Sequence, residues 1–229
     1  MAFEQTASTA ALEPTRSEPV AERALRRALD LAVAALVLVL AAPILLLIAA
    51  LVRLDSRGPA IFRQRRIGLN QQQFTVHKFR TMRAEADPTP HRDYIAQLVN
   101  GDGGRRSDGS QSLFKLTADD RVTRIGKLLR KTSVDELPQL WNVLRGEMSL
   151  VGPRPVVPYE LEHYAPRYFG RFAVKPGLTG LWQVSGRNEK SYTEMVELDL
   201  EYVERRSLGL DISILFKTLF VVVERRGVA

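Results

Sequence analysis

"LAVAALVLVLAAPILLLIAALV", Leu31 to Val52, contains no charged and no strongly polar residue. At about 1.5 Å per helical residue, the run is just long enough to cross a hydrocarbon core of about 30 Å. A secretory signal peptide has a shorter apolar stretch followed by a small-residue cleavage site. Here a long segment containing Arg23, Arg26 and Arg27 precedes the run, so the pattern predicts a resident membrane segment. Arg53, Arg57, Arg63, Arg65 and Arg66 follow it. Basic flanks are held on the cytoplasmic side of a membrane, so both ends are drawn to one face. Pro43, near the middle, removes a helix hydrogen bond there. Spanning helices tolerate proline, but a central proline between two basic flanks predicts a re-entrant helix. It would enter, break at Pro43 and return to the cytoplasmic face.

The 229 residues carry a net charge of +7 and a pI near 9.9. That length suits one domain with appendages. Excess positive charge favours an anionic partner: nucleic acid, phospholipid headgroups or a phosphorylated substrate. With no cysteine, disulfides and a thiol nucleophile are excluded. His77, His91 and His163 form no H-x-x-x-H pair, which argues against a metalloprotease-type zinc site.

Residues 1–22 include a stretch rich in Ala, Thr, Ser, Glu and Pro without an apolar period, and read as a disordered tail. "GPAIFRQRRIG" and "QQQFTVHKFRTM" predict a strand pair joined through "GLNQQQ". Residues 84–112, mostly Gly, Pro, Asp, Ser and Arg, predict a mobile insertion with one short helix around Tyr94 to Val99. Val122, Ile125, Leu128 and Leu129 recur at helical spacing, and Leu137, Leu140, Val143 and Leu144 form a second set. "MSLVGPRPVVP" predicts a loop or extended chain, and "KPGLTGLWQVSGR" turns with a short strand. The C-terminal "LGLDISILFKTLFVVVERRG" reads equally as a helix at a membrane surface or as a core helix.

In "KTSVDELPQLW" (Lys131 to Trp141), Asp135 and Glu136 interrupt a basic field. Ser133 to Glu136 fits the S-x-x-E capping box, although Pro138 then falls where an N–H should already be bonded. With Asp135 as the cap, Pro138 lies in the first turn, where it costs little. Either way the carboxylates stand at a helix N-terminus, which attracts anions. Arginines and lysines cluster around glycine and proline turns: Lys78 and Arg80 in "HKFRTM", Arg130, Arg154 in "GPRP" and Arg187 in "SGR". Arginines in rigid turns suit bidentate phosphate binding. Together with two carboxylates able to hold Mg²⁺ they form a candidate diphosphate site. A carboxylate can also attack phosphorus to give an acyl-phosphate.

"KFRTM", "DDRVTRIGKLLRKTSVDELPQLWNVLRGEMSLVGPRP", "KPGLTGLWQVSGR" and "LDLEYVERRSLGLDISILFKTL", in this order, closely resemble the bacterial sugar transferase family, the monotopic polyprenyl-phosphate phosphoglycosyl transferases. The resemblance runs from about Arg23 to the C-terminus and is weakest over 84–112. It implies that Asp135 is the nucleophile that takes a sugar-1-phosphate from a UDP-sugar, releasing UMP. Glu136 would be its Mg²⁺-associated neighbour. Undecaprenyl phosphate would then attack the covalent aspartyl-phosphosugar intermediate, the first membrane step of exopolysaccharide or capsule synthesis. Lys78, Arg130 and Arg154 fall on basic positions of the family's motifs and would handle phosphate, with Arg187 reaching the nucleotide or its diphosphate. Pro43 matches the proline of the family's re-entrant helix, although Ala42 stands where some relatives have serine. Larger relatives carry further membrane helices and another domain, so the chain resembles the compact, exopolysaccharide-type form. The wording of "PGLTGLWQVSGR" is closest to hexose-1-phosphate transferases, which implies UDP-glucose or UDP-galactose as donor.

The expected fold is α+β and mostly helical. A disordered tail (1–22) precedes a re-entrant membrane helix (23–55) and a cytoplasmic catalytic domain (56–229) with a short β-hairpin and interfacial helices. The expected location is the cytoplasmic face of the bacterial inner membrane, with membrane lipid as a partner and oligomeric state left open. A nucleic-acid binder, the rival from another class, would set Asp135 and Glu136 against phosphate without a metal, so no nucleic acid is expected. An inactive scaffold for other glycosyltransferases is the second rival, and intact motifs count against it.

Overall fold

The computed structural model describes residues 18–83, 85, 89–99, 120–186 and 190–224. Helix α1 (Val20–Asp55) carries the long apolar run. Helical structure is uninterrupted at Pro43, so the expected break appears as a proline inside a continuous helix. Both ends of α1 are fastened to the same body. Near its start, Asp30 accepts hydrogen bonds from Ser149 Oγ (2.9 Å) and Leu150 N (2.9 Å). Arg27 donates to the carbonyls of Val143 (2.6 Å) and Leu144 (2.8 Å). At its end, Arg80 Nη2 donates to Ser56 O (2.6 Å) and Val52 O (3.2 Å), satisfying terminal carbonyls that a helix leaves orphaned. Between these attachments Leu36, Val39, Leu40, Ile44, Leu46 and Leu47 are exposed, Val39 and Leu40 at 71 % each. So wide an apolar surface around Pro43 has no protein covering among the described residues.

Strands β1 (Ile61–Ile67) and β2 (Gln73–Phe79) form the expected antiparallel hairpin, with Phe62 opposite Lys78 and Arg66 opposite Phe74. The reversal is tight, with Asn70 and Gln71 both at positive φ. Helix α2 (Thr89–Val99) is longer than the sequence suggested, and it is docked: Ile95 and Leu98 are buried against Trp182, Met195 and Val196. The helical part of the insertion is therefore a core element, while 100–112 lie outside the described residues.

Helix α3 (Arg124–Thr132) starts with Thr123 accepting from Gly126 N (3.0 Å), and its Ile125 N donates to Asp55 Oδ2 (3.0 Å). Val122 lies before the helix, in a bridge to Met82. A Cβ on Gly126 would stand 2.0 Å from Thr81 O, so only glycine lets α3 lie this close to the chain after β2. Ser133 ends α3 in the left-handed region (φ 56°) and makes no side-chain cap, which overturns the capping-box expectation. A 3-10 turn, Val134–Gln139, follows and runs into α4 (Leu140–Arg145).

Strand β3 (Ser149–Val151) pairs in parallel with β4 (Gly177–Thr179), which leads to the short α5 (Leu181–Val184), α6 (Tyr192–Arg205) and α7 (Leu208–Glu224). Described residues are thus mostly helical, with two small two-stranded sheets. The main core joins α1, β2, α4, β3, α6 and α7 through Ala34, Val76, Val143, Leu150, Tyr202 and Ile214. Helix α7 packs into the core along one face, as the core-helix reading expected. Asp211 and Ile214 are buried, while Ile212, Phe216, Leu219 and Phe220 are exposed on another face.

Near β3 the chains meet backbone to backbone, with Gly152 N donating to Thr179 O (2.9 Å) and Gly177 N to Pro153 O (2.9 Å). A Cβ on Gly177 would lie 2.1 Å from Gly152 N. Gly177→Ala is therefore expected to lower stability by about 3 kcal/mol, the upper range for overpacking a tight contact. Thermal unfolding of the purified protein measures it, and an unchanged Tm would contradict the close approach.

Candidate active site

Strand alternation places Phe62, Gln64 and Arg66 on the same face of the hairpin as Phe74, Val76 and Lys78. Lys78 Nζ lies over the Phe62 ring, 5.7 Å from its centroid. Arg66, which sequence reasoning did not select, is held by Gln64 Oε1 (2.7 Å) and Pro155 O (2.9 Å). Its signal was present, because counting back from Lys78 through the reversal puts Arg66 on the Lys78 face.

The acidic turn lies against β2. Because Pro138 cannot donate an N–H, the chain from Val134 tightens into a 3-10 turn before α4 begins. Neighbouring residues in such a turn point in well-separated directions. Asp135 is buried and Glu136 is exposed. Electrostatics join this turn to the hairpin. Burial pushes the Lys78 ammonium down to about 8, helped by the Arg66 charge, while Glu136 and Asp135 pull the other way. Arg66 is lowered to about 10 by burial and by Arg154, with Glu160, Tyr159 and Glu136 opposing. Lys78, Arg66, Arg154, Asp135 and Glu136 therefore share one electrostatic neighbourhood.

Arg154 follows β3 in the Gly-Pro-Arg-Pro loop, and its backbone is fixed at both ends of the residue. Its N–H donates to Asp199 Oδ2 (3.4 Å), and its carbonyl accepts from Arg171 Nη2 (3.2 Å). Arg171 and Asp199 form a buried ion pair beneath it. Arg130, in the last turn of α3, donates Nε to Thr81 Oγ1 (2.9 Å), which ties it to the chain just past Lys78. Arg187 lies outside the described residues. Pro43 lies in α1. Arg80, noted among the basic residues, is buried and serves the end of α1.

Among the described residues, no group of three or more His, Asp and Glu side chains forms a metal cage. Two adjacent carboxylates match what Mg²⁺ requires when it arrives with a diphosphate, since that ion commonly uses one or two carboxylates and completes its shell with phosphate oxygens and water. The donor set fits an ion that a diphosphate substrate brings with it. A cavity of about 1040 Å³ opens elsewhere, at the foot of α1, lined by Arg23, Arg27, Asp30, Lys175 and Arg206 among others. It includes neither Asp135 nor Lys78.

A profile of the family described as bacterial sugar transferase matches residues 21–225. The chain belongs to the bacterial sugar transferase family. It is 46% identical over 205 residues to the UDP-galactose-lipid carrier transferase of Erwinia amylovora, covering 90% of this chain and 42% of that protein. It is 45% identical over 202 residues to the exopolysaccharide production protein ExoY of Rhizobium meliloti, covering 88% and 87%. To the UDP-glucose:undecaprenyl-phosphate glucose-1-phosphate transferase of Caulobacter vibrioides it is 43% identical over 204 residues, covering 85% and 68%. This family member thus spans about two fifths of the length of some relatives and most of the length of others.

Proposed function

We propose that this sugar transferase moves a hexose-1-phosphate from a UDP-sugar to undecaprenyl phosphate, with UMP as the leaving product. The observation that carries this reading is a buried carboxylate, Asp135, in one turn with an exposed one, Glu136, set beside Lys78, Arg66 and Arg154. A lone carboxylate repels an anionic phosphorus centre, and surrounding cations relieve that repulsion. In the first step, an Asp135 carboxylate oxygen bonds to the sugar-linked phosphorus as the bond from that phosphorus to the UMP oxygen breaks. Lys78, Arg66 and Arg154 balance the charge gathering on the departing UMP. In the second step, the acceptor's phosphate oxygen attacks the same phosphorus and Asp135 is released as carboxylate. A Mg²⁺ held by Glu136 would supply charge neutralisation at the diphosphate. The names of the relatives support the donor and acceptor classes: the Caulobacter protein's name specifies UDP-glucose and undecaprenyl phosphate.

The test is UMP release by purified protein with Mg²⁺ and a panel of UDP-sugars, with and without undecaprenyl phosphate. Lipid-dependent release fits the proposal. Silence with every donor would favour a scaffold role.

The same proposal keeps both ends of α1 on the cytoplasmic face of the inner membrane, with its exposed apolar side in lipid. Attachment of both ends to one body, with an exposed apolar middle, supports it. The chain contains no cysteine, so single substitutions Arg23→Cys and Arg57→Cys report sidedness cleanly. Both are expected to react with an impermeant thiol reagent in inverted vesicles and to stay protected in spheroplasts. Labelling on opposite sides would mean a spanning helix.

A further inference from the structure

Glu160 belongs to none of the residues selected from the sequence, yet it is completely buried beside the site. Its Oε1 accepts from Val157 N (3.0 Å) and lies 3.8 Å from Arg154 Nη1 and 4.0 Å from Arg66 Nη1. Its Oε2 accepts from the Tyr192 hydroxyl (3.1 Å), which meets the Tyr164 hydroxyl at 3.0 Å. A buried carboxylate persists only where charge and hydrogen bonds compensate it. Here one carboxylate faces two guanidiniums brought from different elements, strand β1 and the loop after β3. At these separations it steers the guanidiniums by charge without the close contact of a bidentate pair. The Arg154 backbone is fixed separately by Arg171 and Asp199, so Glu160 acts on the side chains.

We propose that Glu160 is a positioning residue that holds Arg66 and Arg154 together as a two-guanidinium clamp for the donor's diphosphate, making Arg66 a further phosphate-binding residue. The clamp rests on the diphosphate chemistry proposed above. Arg66 donates to the carbonyl of Pro155, the residue next to Arg154, so the two arginines are mechanically joined as well. Without the carboxylate they would repel and separate.

Glu160→Gln keeps the shape and removes the charge. It also leaves the site more positive, which alone would tighten anion binding, so a loss of affinity reports orientation. Calorimetric titration of the full chain in detergent with inorganic pyrophosphate and Mg²⁺ provides the readout, beside turnover of UDP-glucose and UDP-galactose. Glu160→Gln is expected to weaken pyrophosphate binding about tenfold, and under about threefold when Arg66→Gln and Arg154→Gln are already present. Unchanged or tighter binding, or an equal loss in both backgrounds, would overturn the clamp. Should Glu160→Gln fail to fold, Arg66→Gln carries the same test, with an expected loss of about tenfold alone and under about threefold in the Arg154→Gln background. Additive losses there would also overturn it. Wild-type protein that binds pyrophosphate but turns over no nucleotide sugar would remove the transferase proposal and leave the clamp. Turnover with additive losses would do the reverse, and no pyrophosphate binding at all would remove the clamp.

Discussion

Asp135→Asn is expected to lower UMP release by about 10⁴-fold or more, the scale on which enzymes lose a covalent nucleophile. The substitution keeps the shape of the side chain and removes its capacity to form a stable bond to phosphorus. Asp135 is buried, so bulk water has restricted access to act in its place. Glu136 is a poor substitute, because the 3-10 turn sends it outward to solvent. Asparagine also withdraws a negative charge that favours protonated Lys78, so the lysine should hold its proton less tightly in the variant. Sedimentation with membranes and thermal unfolding should stay close to wild type, separating lost chemistry from lost structure. Activity within tenfold of wild type would rule out the proposal that Asp135 is the nucleophile.

The second large effect concerns Lys78. With its ammonium pushed down to about 8 by burial and by Arg66, kcat/KM should fall about tenfold per pH unit once the pH passes that value, because kcat/KM reports the free enzyme. Lys78→Arg, which retains charge to far higher pH, should move this limb beyond the measurable range. Lys78→Met should lower kcat/KM by about 10²–10³-fold at pH 7, the cost of removing one preorganised charge-stabilising group. A wild-type profile flat from pH 7 to 9.5 would show that Lys78 does not titrate there. Stability follows the opposite course. The folded chain binds this proton less tightly than the unfolded chain, whose lysine titrates near 10.5. Unfolding between about pH 8 and 10.5 therefore takes up a proton, and the contribution of Lys78 to stability rises with pH across that window. Below it, the half-buried charge is a standing cost.

Local pattern carried the parts of the fold that depend on near neighbours. The hairpin, the apolar α1 and the helix at Ile125 to Leu129 all follow from periodicity and turn residues. The start of the acidic turn stayed open between Ser133 and Asp135, because S-x-x-E is a local signature that Pro138 opposes, and the left-handed Ser133 that ends α3 decides against the capping box. Helix α2 was underestimated for a related reason. Its surroundings are dominated by loop-forming residues, and the two side chains that dock it, Ile95 and Leu98, find their partners about a hundred residues away on α6. Asp135, Glu136, Lys78 and Arg154 were legible because they sit in motifs. Glu160 was not, since its meaning lies in contacts with Arg66 and Tyr192 that no short window contains.

The double attachment of α1 has a mechanical consequence. A helix held at one end only adjusts to its bilayer by tilting or sliding, and the height of whatever it carries changes with lipid chain length. Here Asp30 and Arg27 fix one end, and the carbonyls capped by Arg80 fix the other, on the same rigid body. Neither end can move without the domain. On the proposed membrane placement, the elevation of Asp135 above the lipid headgroups is then a dimension of the protein and not of the bilayer, like the stand-off of a gauge whose foot is bolted down.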